Sequence, residues 1–325
     1  MREFFQRSKA VTAVVVGPLF LDVIFSAVPR VPVPGEELWS DRCSFVAGGA
    51  ANQARALRRM GFHVHLCSYL GEDLPGQMVA TLLDDDGLPT TLLHPTAYQA
   101  VTAAMSVGDD RAMISAGTND APPLSGAAPD LLMGDLRALE RNRETVRLWR
   151  EHGTFVIGDV GWDESGRWDW SDLAPLDLVD VFVPNEDEAC HYTRANSPEE
   201  AAARLTDLVP TVVVTRGARG VVAAGVGLGK RTSDAIDDGV LSLTAFPAQT
   251  IDPTGAGDVF SAVLAWGLLQ GGTLHQAVSA AGVAGAMSTE GLGGNGAPSL
   301  HELKERTRAL SASPHGYDLT LLFSR

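Results

Sequence analysis

The sequence predicts an α/β protein built around a mostly parallel β-sheet. Short apolar runs rich in Val, Ile and Leu alternate along the chain with segments of helical periodicity. These runs are apolar at consecutive positions, which is typical of strands buried on both faces by helices. The chain has 325 residues, enough for one large domain or for a domain with a small appendage.

The predicted elements follow one another along the whole chain, with no internal repeat and no long linker. Strands are predicted at 11–16, 64–70, 155–157, 179–183 and 212–215, each bounded by Gly, Pro or Asp. Helices are predicted at 50–60, between the first two strands, and at 262–271, 274–288 and 300–310 in the C-terminal third.

Two segments, 23–45 and 101–116, break this alternation. The first carries three prolines in VPRVPVPGEE and then the alternating run WSDRCSFV. The second has two short strand patterns around Gly108, Asp109 and Asp110, which is a hairpin signal. Both segments are predicted to form β-structure outside the main sheet.

The net charge limits the classes of partner. The chain has 40 acidic and 25 basic residues, a formal net charge of −15. An acidic protein repels the phosphate backbone, so we expect no nucleic-acid binding. A nucleotide can still bind, because local amides and a metal ion overcome the mean field.

The cysteines and the N-terminus indicate a cytoplasmic protein. Cys43, Cys67 and Cys190 are odd in number and lie at unrelated spacings, so they are predicted to be reduced. The apolar run 10–21 follows basic residues, but Pro18 interrupts it and no A-x-A cleavage site follows. No run approaches the roughly 18 apolar residues of a membrane span, so we expect no membrane segment.

The stretch IDPTGAGDVFSAVLAWG carries the clearest chemical signal. Gly255, Ala256 and Gly257 form a turn whose backbone amides can approach an anion. The helix that follows adds its positive dipole end to the same place. Asp258 then stands where a hydroxyl group would approach, as the acceptor for the proton that the hydroxyl loses. The alternative is a Gly-rich loop in which Asp258 only caps the helix.

Four polar residues that follow strand-like runs are expected to share one edge of the sheet. In open α/β sheets, ligands bind at the carboxyl ends of the strands. The residues are Asp22, Asn185, Thr215 and Asp252.

The GAGD block resembles the C-terminal signature of the ribokinase-like (PfkB) carbohydrate kinases, a family that includes nucleoside kinases. Four further segments agree in order and spacing: AVVVGPLFLD, VAGGAANQARALRRMG, VFVPNEDEA and VVVTRGARG. The resemblance implies a ribokinase-like three-layer α/β/α domain with a mostly parallel central sheet and a small β-sheet lid. In this division, 1–22, 46–100 and 117–325 form the main domain, and 23–45 and 101–116 form the lid.

The resemblance also implies a set of site residues. Asp258 is the general base and Gly255, Ala256 and Gly257 form the anion hole. The sugar is bound by Asp22, Gly48, Gly49 and Asn52. The nucleotide phosphates are bound by Asn185, Glu188, Thr215, Gly217 and Gly220. Glu188 organises Mg²⁺ through water, and Asp252 helps to bind K⁺.

The implied function is phosphoryl transfer from ATP, with Mg²⁺, to a hydroxyl of a small sugar or sugar derivative. Two departures bear on the substrate: ribokinase has asparagine at the position of Phe20 and lysine at the position of Gly49. We therefore expect ribose to be a poor acceptor. A nucleoside kinase is one alternative, with Phe20 and the lid aromatics Phe25 or Trp39 stacking the base. A non-catalytic ligand-binding homologue is another.

Two expectations concern exposed aromatic residues. The lid leaves strand edges and an apolar face that need cover, so a homodimer through the lid is predicted. Trp39, Phe45 and Met105 are expected near that contact or near the sugar. The residues of GWDESGRWDWSDL are expected to pack or to lie at the surface; they include Trp162, Trp168 and Trp170.

Overall fold

The computed structural model describes residues 11–107, 110–226, 236–237, 239–291, 293–308 and 316–324. Gly108 and Asp109 of the predicted hairpin turn, and residues 309 and 310 of the last predicted helix, lie outside these ranges.

Within the described residues, strands and helices alternate for most of the chain. The strands are β1 (Thr12–Val16), β2 (Leu19–Ser26), β3 (Arg42–Gly49), β4 (His63–Gly71), β5 (Leu93–Thr96), β6 (Ala100–Val107), β7 (Asp110–Ala116), β8 (Leu131–Asp135), β9 (Phe155–Asp159), β10 (Val181–Phe182), β11 (Thr211–Thr215), β12 (Val221–Gly225), β13 (Ile236–Asp237) and β14 (Val240–Leu243). The α-helices are α1 (Ala50–Arg59), α2 (Leu74–Asp85), α3 (Leu136–Arg141), α4 (Arg143–Glu151), α5 (Glu186–Thr193), α6 (Pro198–Leu205), α7 (Ala256–Leu269), α8 (Leu274–Ser288) and α9 (Leu300–Arg308). Four 3₁₀ segments are also described: Trp170–Leu178, Gly217–Arg219, Gly293–Gly296 and Thr320–Phe323.

The main sheet has ten strands in the order β13-β14-β12-β11-β10-β9-β8-β1-β4-β5. From β11 to β5 every neighbouring pair is parallel. The pairs that join β11, β12, β14 and β13 are antiparallel. The predicted mostly parallel sheet is therefore confirmed, and the antiparallel edge is an addition that the sequence pattern did not reveal.

Helices cover both faces of this sheet, as predicted. Successive residues of β1 enter opposite cores, with Val15 in one and Val14 in the other. The first core packs against α1, α2, α7, α8 and α9, and the second packs against α3, α4, α5 and α6. Strands with apolar side chains on both faces are stable only between two such layers.

A second sheet lies apart from the main one, in the order β3-β2-β6-β7. Its strands β2 and β6 are parallel, and the two outer pairs are antiparallel. We call it the lid sheet. Its strands reach beyond the predicted lid segments, because β2 begins at Leu19 and β3 runs to Gly49.

The strand predicted at 11–16 is confirmed as β1, but the expectation that Asp22 and Asp252 follow strands of the main sheet is wrong. The N-terminal apolar run is two strands, because the chain turns at Gly17 and Pro18 between β1 and β2. Asp22 therefore lies within the lid sheet and does not follow a strand of the main sheet. Asp252 lies well beyond the end of β14 at Leu243, in the loop that leads to α7.

The bulk expectations can be compared directly with the structure. All three cysteines are described and none forms a disulfide, and burial raises the pKa of the Cys67 thiol to about 11. Among the helices of the described ranges, none combines the length and the apolar composition that crossing a membrane requires.

Candidate active site

The first turn of α7 is the predicted anion-binding turn. Gly255 caps the helix with a φ of 79°, a left-handed conformation that favours glycine. The Ala256 amide donates to the carbonyl of Pro253 at 3.2 Å. Within the described part of the chain, the amides of Gly257 and Asp258 have no protein acceptor. These two N–H groups, rather than that of Ala256, are therefore available to an anion.

Asp258 is joined to α1 across the cleft. Its Oδ2 accepts a hydrogen bond from Asn52 Nδ2 at 3.1 Å. Burial raises the pKa of Asp258 above its usual value, while hydrogen bonds from Asn52 and Gln53 lower it in part. The structure thus brings together the predicted base and the predicted sugar-binding asparagine, and it adds Gln53, which the sequence analysis missed.

Asp22 reaches this site from the lid sheet. It is only 8% exposed. Its side chain requires glycine at position 48, because a Cβ there would lie 1.8 Å from Asp22 Oδ2. Burial and then repulsion from Asp258 raise the pKa of Asp22 to about 6, although a hydrogen bond from Thr102 lowers it. The two carboxylates are therefore close enough to disfavour each other's charge.

Gly49 and Phe20 form one unit beside Asp22. Gly49 has a φ of 63° and precedes the first residue of α1. A Cβ there would lie 2.4 Å from the carbonyl oxygen of Pro18 and 2.8 Å from the ring of Phe20. No larger residue fits at position 49 unless the backbone and Phe20 move, so the two departures from ribokinase are physically linked.

Asn185 and Glu188 form a capping box at the start of α5. The Asn185 side chain accepts from the Glu188 amide, and Glu188 Oε2 accepts from the Asn185 amide, both at 2.9 Å. Glu188 is 6% exposed, and burial raises its pKa to about 7. The pair thus stabilises the helix start and also buries a carboxylate at this edge.

Asp159 is a site residue that the sequence analysis missed. It ends β9, and its pKa is raised well above the usual value by burial and by the charges of Glu188 and Asp258. Asp159 is therefore near enough to both carboxylates for their charges to act on it. A polar residue directly after a buried strand was the signal that could have identified it, as it identified Asn185.

The predicted phosphate-binding segment lies beside the capping box, because Asn185 and Thr215 form a parallel bridge and the Thr215 amide donates to the carbonyl of Pro184 at 3.0 Å. Gly217 has a φ of 54°, and a Cβ on it would meet nothing within 4 Å. At Gly220 a Cβ would lie 1.9 Å from the carbonyl oxygen of Leu243. Gly217 is therefore open to a ligand, whereas packing against β14 by itself accounts for Gly220.

Asp252 is fully buried at the base of the loop before α7. Its Oδ1 accepts from the Thr254 amide at 3.0 Å and from the Thr254 hydroxyl at 2.8 Å, which is the turn expected before Pro253. Its own amide donates to the carbonyl of Thr289 at 3.0 Å. The structure therefore joins the loop of Asp252 to the end of α8 through Thr289.

Two tryptophans of the 161–173 segment, Trp162 and Trp168, lie in an aromatic cluster with His191. Trp168 is buried, stacks on His191 at 4.8 Å and meets Trp162 edge to face at 5.0 Å. Trp162 and Trp170 are exposed. These are packing and surface positions, as the sequence predicts.

Comparison with known proteins identifies the family. The profile of the pfkB family carbohydrate kinases matches residues 13–128 and 152–300. The chain belongs to this family. A ribokinase of Arabidopsis thaliana is 28% identical, with 92% of this chain and 81% of the relative covered. A bifunctional protein HldE of Hyphomonas neptunium is 27% identical over 83% of this chain, which spans only 59% of that protein.

Solved structures agree with the fold. The ribokinase of Arabidopsis thaliana, complexed with ribose and ATP, superposes with a TM-score of 0.72 at 22% identity, covering 91% of this chain and 98% of that one. The family match indicates an ATP-dependent carbohydrate kinase, and these carboxylates are candidates for its active site.

The pKa of Asp22 predicts that this residue destabilises the fold. Because the pKa of Asp22 is raised to about 6 in the folded chain, ionisation of this carboxyl lowers the free energy of unfolding. The penalty is complete above about pH 6 and vanishes below the unfolded pKa of about 4. We expect Asp22→Asn to increase the free energy of unfolding by about 1–3 kcal/mol at pH 8. The gain should be roughly half as large at pH 5.

Urea denaturation of both chains at the two pH values checks this. A variant no more stable than the parent at pH 8, or a gain that is undiminished at pH 5, would show that Asp22 is not under electrostatic strain.

Proposed function

We propose that this chain transfers the γ-phosphoryl group of ATP to a hydroxyl of a small sugar or sugar derivative, with Asp258 as the general base. The observation that carries the proposal is the position of Asp258. It stands at the first turn of α7, beside two backbone amides without protein acceptors, and faces Asp22 of the lid sheet. A hydroxyl held between Asp22 and Asp258 would be next to the place where those amides hold a phosphoryl group.

The raised pKa of Asp258 suits this role. A carboxylate that is held in a desolvated position is a stronger base than one in water, and hydrogen bonds from Asn52 and Gln53 oppose part of the rise in the pKa of Asp258. Asp258 would take the hydroxyl proton as the bond to phosphorus forms, and the amides of Gly257 and Asp258 would stabilise the charge on the transferred group.

The nucleotide phosphates are proposed to be bound by Asn185, Glu188, Thr215 and Gly217. Glu188 and Asp159 fit a divalent cation, because both carry pKa values raised by burial and Glu188 adds to the shift at Asp159. No three His, Cys, Asp or Glu side chains of the described residues cluster as a metal site, so Glu188 would act through water. Mg²⁺ would neutralise phosphate charge there.

A monovalent cation at Asp252 is a further part of the proposal. The side chain is fully buried and already shapes the loop before the anion-binding turn through Thr254. Potassium at this place would stabilise that loop, and activity that is unchanged when potassium is replaced by tetramethylammonium would refute it.

We expect Asp258→Asn to reduce kcat by about a hundredfold or more, because asparagine cannot accept the proton. Its fold and its affinity for ATP should stay nearly unchanged, since asparagine keeps the size of the side chain. Steady-state kinetics with a saturating sugar, together with ATP titration calorimetry, measure both. Turnover within threefold of the parent chain would exclude Asp258 as the base.

The acceptor is proposed to be a sugar other than ribose. Phe20 projects from the same face of the lid sheet as Asp22, since side chains two positions apart in a strand share a face. It puts an apolar ring where a polar contact stands in ribokinase, and Gly49 adds no side chain. Phe25 projects from the opposite face of the lid sheet, and Trp39 is 84% exposed. Of the three aromatic residues, only Phe20 is therefore supported as a stacking partner for a nucleoside base.

A panel of acceptors tests this assignment. We expect ribose to have a lower kcat/KM than the best hexose, keto-sugar acid or nucleoside, and Phe20→Asn to narrow the difference by about tenfold. Ribose as the best substrate would contradict the role of these two positions. Adenosine or another nucleoside as the best substrate, with the preference lost in Phe20→Ala, would favour the nucleoside kinase.

We propose that two copies of the chain form a homodimer through one face of the lid sheet. This face lies opposite to the side chain of Asp22, and we call it the outer face. Phe25, Phe45 and Ile114 project from it and are 37%, 46% and 71% exposed, with Met105 beside them. The register of Phe45 and Met105 on this face supports a role in the subunit contact rather than in sugar binding. A second copy presents the same apolar face, so a two-fold contact covers both at once.

Light scattering at micromolar concentration is expected to give twice the chain mass. Phe45→Lys combined with Ile114→Lys should yield a monomer, because two charges would then be buried in the contact. Leu148→Lys is the control: this residue is 52% exposed on α4, in the opposite helical layer. A parent chain that is monomeric, or a double variant that still dimerises, would contradict the contact.

A further inference from the structure

We propose that Arg55 is a positioning residue for Asp258: its buried guanidinium fixes the side-chain amide of Asn52 so that the N–H group points at the base. The inference rests on the proposed function of Asp258 and adds a residue to it. Arg55 lies on α1, one turn after Asn52, and is only 4% exposed.

The guanidinium is held on three sides. Its Nε donates to Asp86 Oδ2 at 2.8 Å, and its Nη2 donates to the carbonyl of Ala47 at 3.0 Å. Its Nη1 donates to Asn52 Oδ1 at 3.1 Å. A planar fork with fixed N–H directions can reach three separate acceptors at once, which a lysine ammonium on a flexible stem cannot do with the same geometry.

The contact with Arg55 decides which way the Asn52 amide faces. Arginine has donors and no acceptor, so only the oxygen of the amide can face it. The NH₂ group is then directed to Asp258, whose Oδ2 it meets at 3.1 Å. With the amide reversed, two sets of donors would face each other at Arg55, and an oxygen would face the carboxylate of Asp258. Arg55 therefore makes Asn52 a donor to the base.

The charge of Arg55 acts on the base as well. The pKa of Asp258 is lowered by hydrogen bonds from Asn52 and Gln53 and by the charges of Arg111 and Arg55, against the effect of burial. The other charged groups that face the site are Asp22 on the lid sheet and Asp159 at the end of β9, both carboxylates whose pKa is raised by the charge of Asp258. Arg55 itself is paired with Asp86, at 2.7 Å from Nη2.

A purely structural role is the competing explanation. Arg55 could serve only to tie α1 to the end of α2 through Asp86, and its loss would then lower stability alone. The two explanations differ in the pH dependence of turnover. If Arg55 orients the donor to Asp258 and supplies positive charge, its removal raises the pKa of the base, and the acid limb of the kcat profile moves to higher pH.

The test compares Arg55→Met and Arg55→Lys with Arg59→Met. Arg59 is the matched control, since it lies one turn further along the same helix, is exposed and pairs with Glu302 at 2.9 Å. We expect Arg55→Met to lower kcat by about tenfold or more, with KM for ATP within twofold and the acid limb about 0.5–1 unit higher. Arg55→Lys keeps the charge but not the geometry that fixes Asn52, so its kcat should fall and its acid limb should move less than that of Arg55→Met. Arg59→Met should match the parent.

An unchanged acid limb and kcat in folded Arg55→Met would overturn the proposal. If that variant does not fold, the double variant of Arg55→Lys with Asn52→Ala decides. Arg55 acts through Asn52 if the two losses in kcat are clearly less than multiplicative, and it does not if they multiply. Asp258→Asn, measured in the same series, distinguishes failure of the proposed base from failure of the positioning role. If Asp258→Asn is active, Asp258 is not the base. If Asp258→Asn is inactive and Arg55→Met has normal activity, only the positioning role of Arg55 is refuted.

Discussion

The constraint on which the rest of this structure depends is the concentration of desolvated carboxylates in the candidate active site. Burial raises the pKa of Asp22, Asp159, Glu188 and Asp258, and the charge of Asp258 adds to the shifts at Asp22 and Asp159. Like charges that share a desolvated site cost free energy. Helix starts, amide donors and the charge of Arg55 offset part of this cost.

The main sheet and the lid sheet contribute different residues to the candidate active site. The main sheet and its helices supply the rigid groups, namely the α7 turn and the capping box of α5. The lid sheet supplies Asp22, Phe20 and the glycines that let Asp22 lie close to the backbone. Because the lid sheet is separate from the main one, the groups proposed to bind the acceptor and those proposed to bind the phosphates come from different parts of the chain.

Local patterns predicted a large part of the fold and of the site, and long-range contacts account for the misses. The GAGD turn depends on a positive φ at Gly255 and on a helix that begins one residue later, which neighbouring residues alone determine. The capping box of Asn185 and Glu188 likewise needs only three residues of spacing. By contrast, the place of Asp22 in the lid sheet was not predicted, because the pairing of β2 with β3 and β6 depends on distant segments of the chain. Asp159 was missed because its strand end is significant only beside Glu188 and Asp258.

The sequence by itself determined the α/β class, the order of most elements, the family and the anion-binding turn, because each rests on periodicity or on motifs a few residues long. Only the tertiary structure decided which face of the lid sheet carries Asp22, that Phe20 fills the space beside Gly49, and that packing accounts for Gly220. It also decided the contact between Asn52 and Asp258, which joins residues 206 positions apart, and the burial of Arg55 against Asp86. Such contacts form only when helices and strands pack. Their energies come from desolvation and from distances between elements, and no local pattern in the chain encodes these quantities.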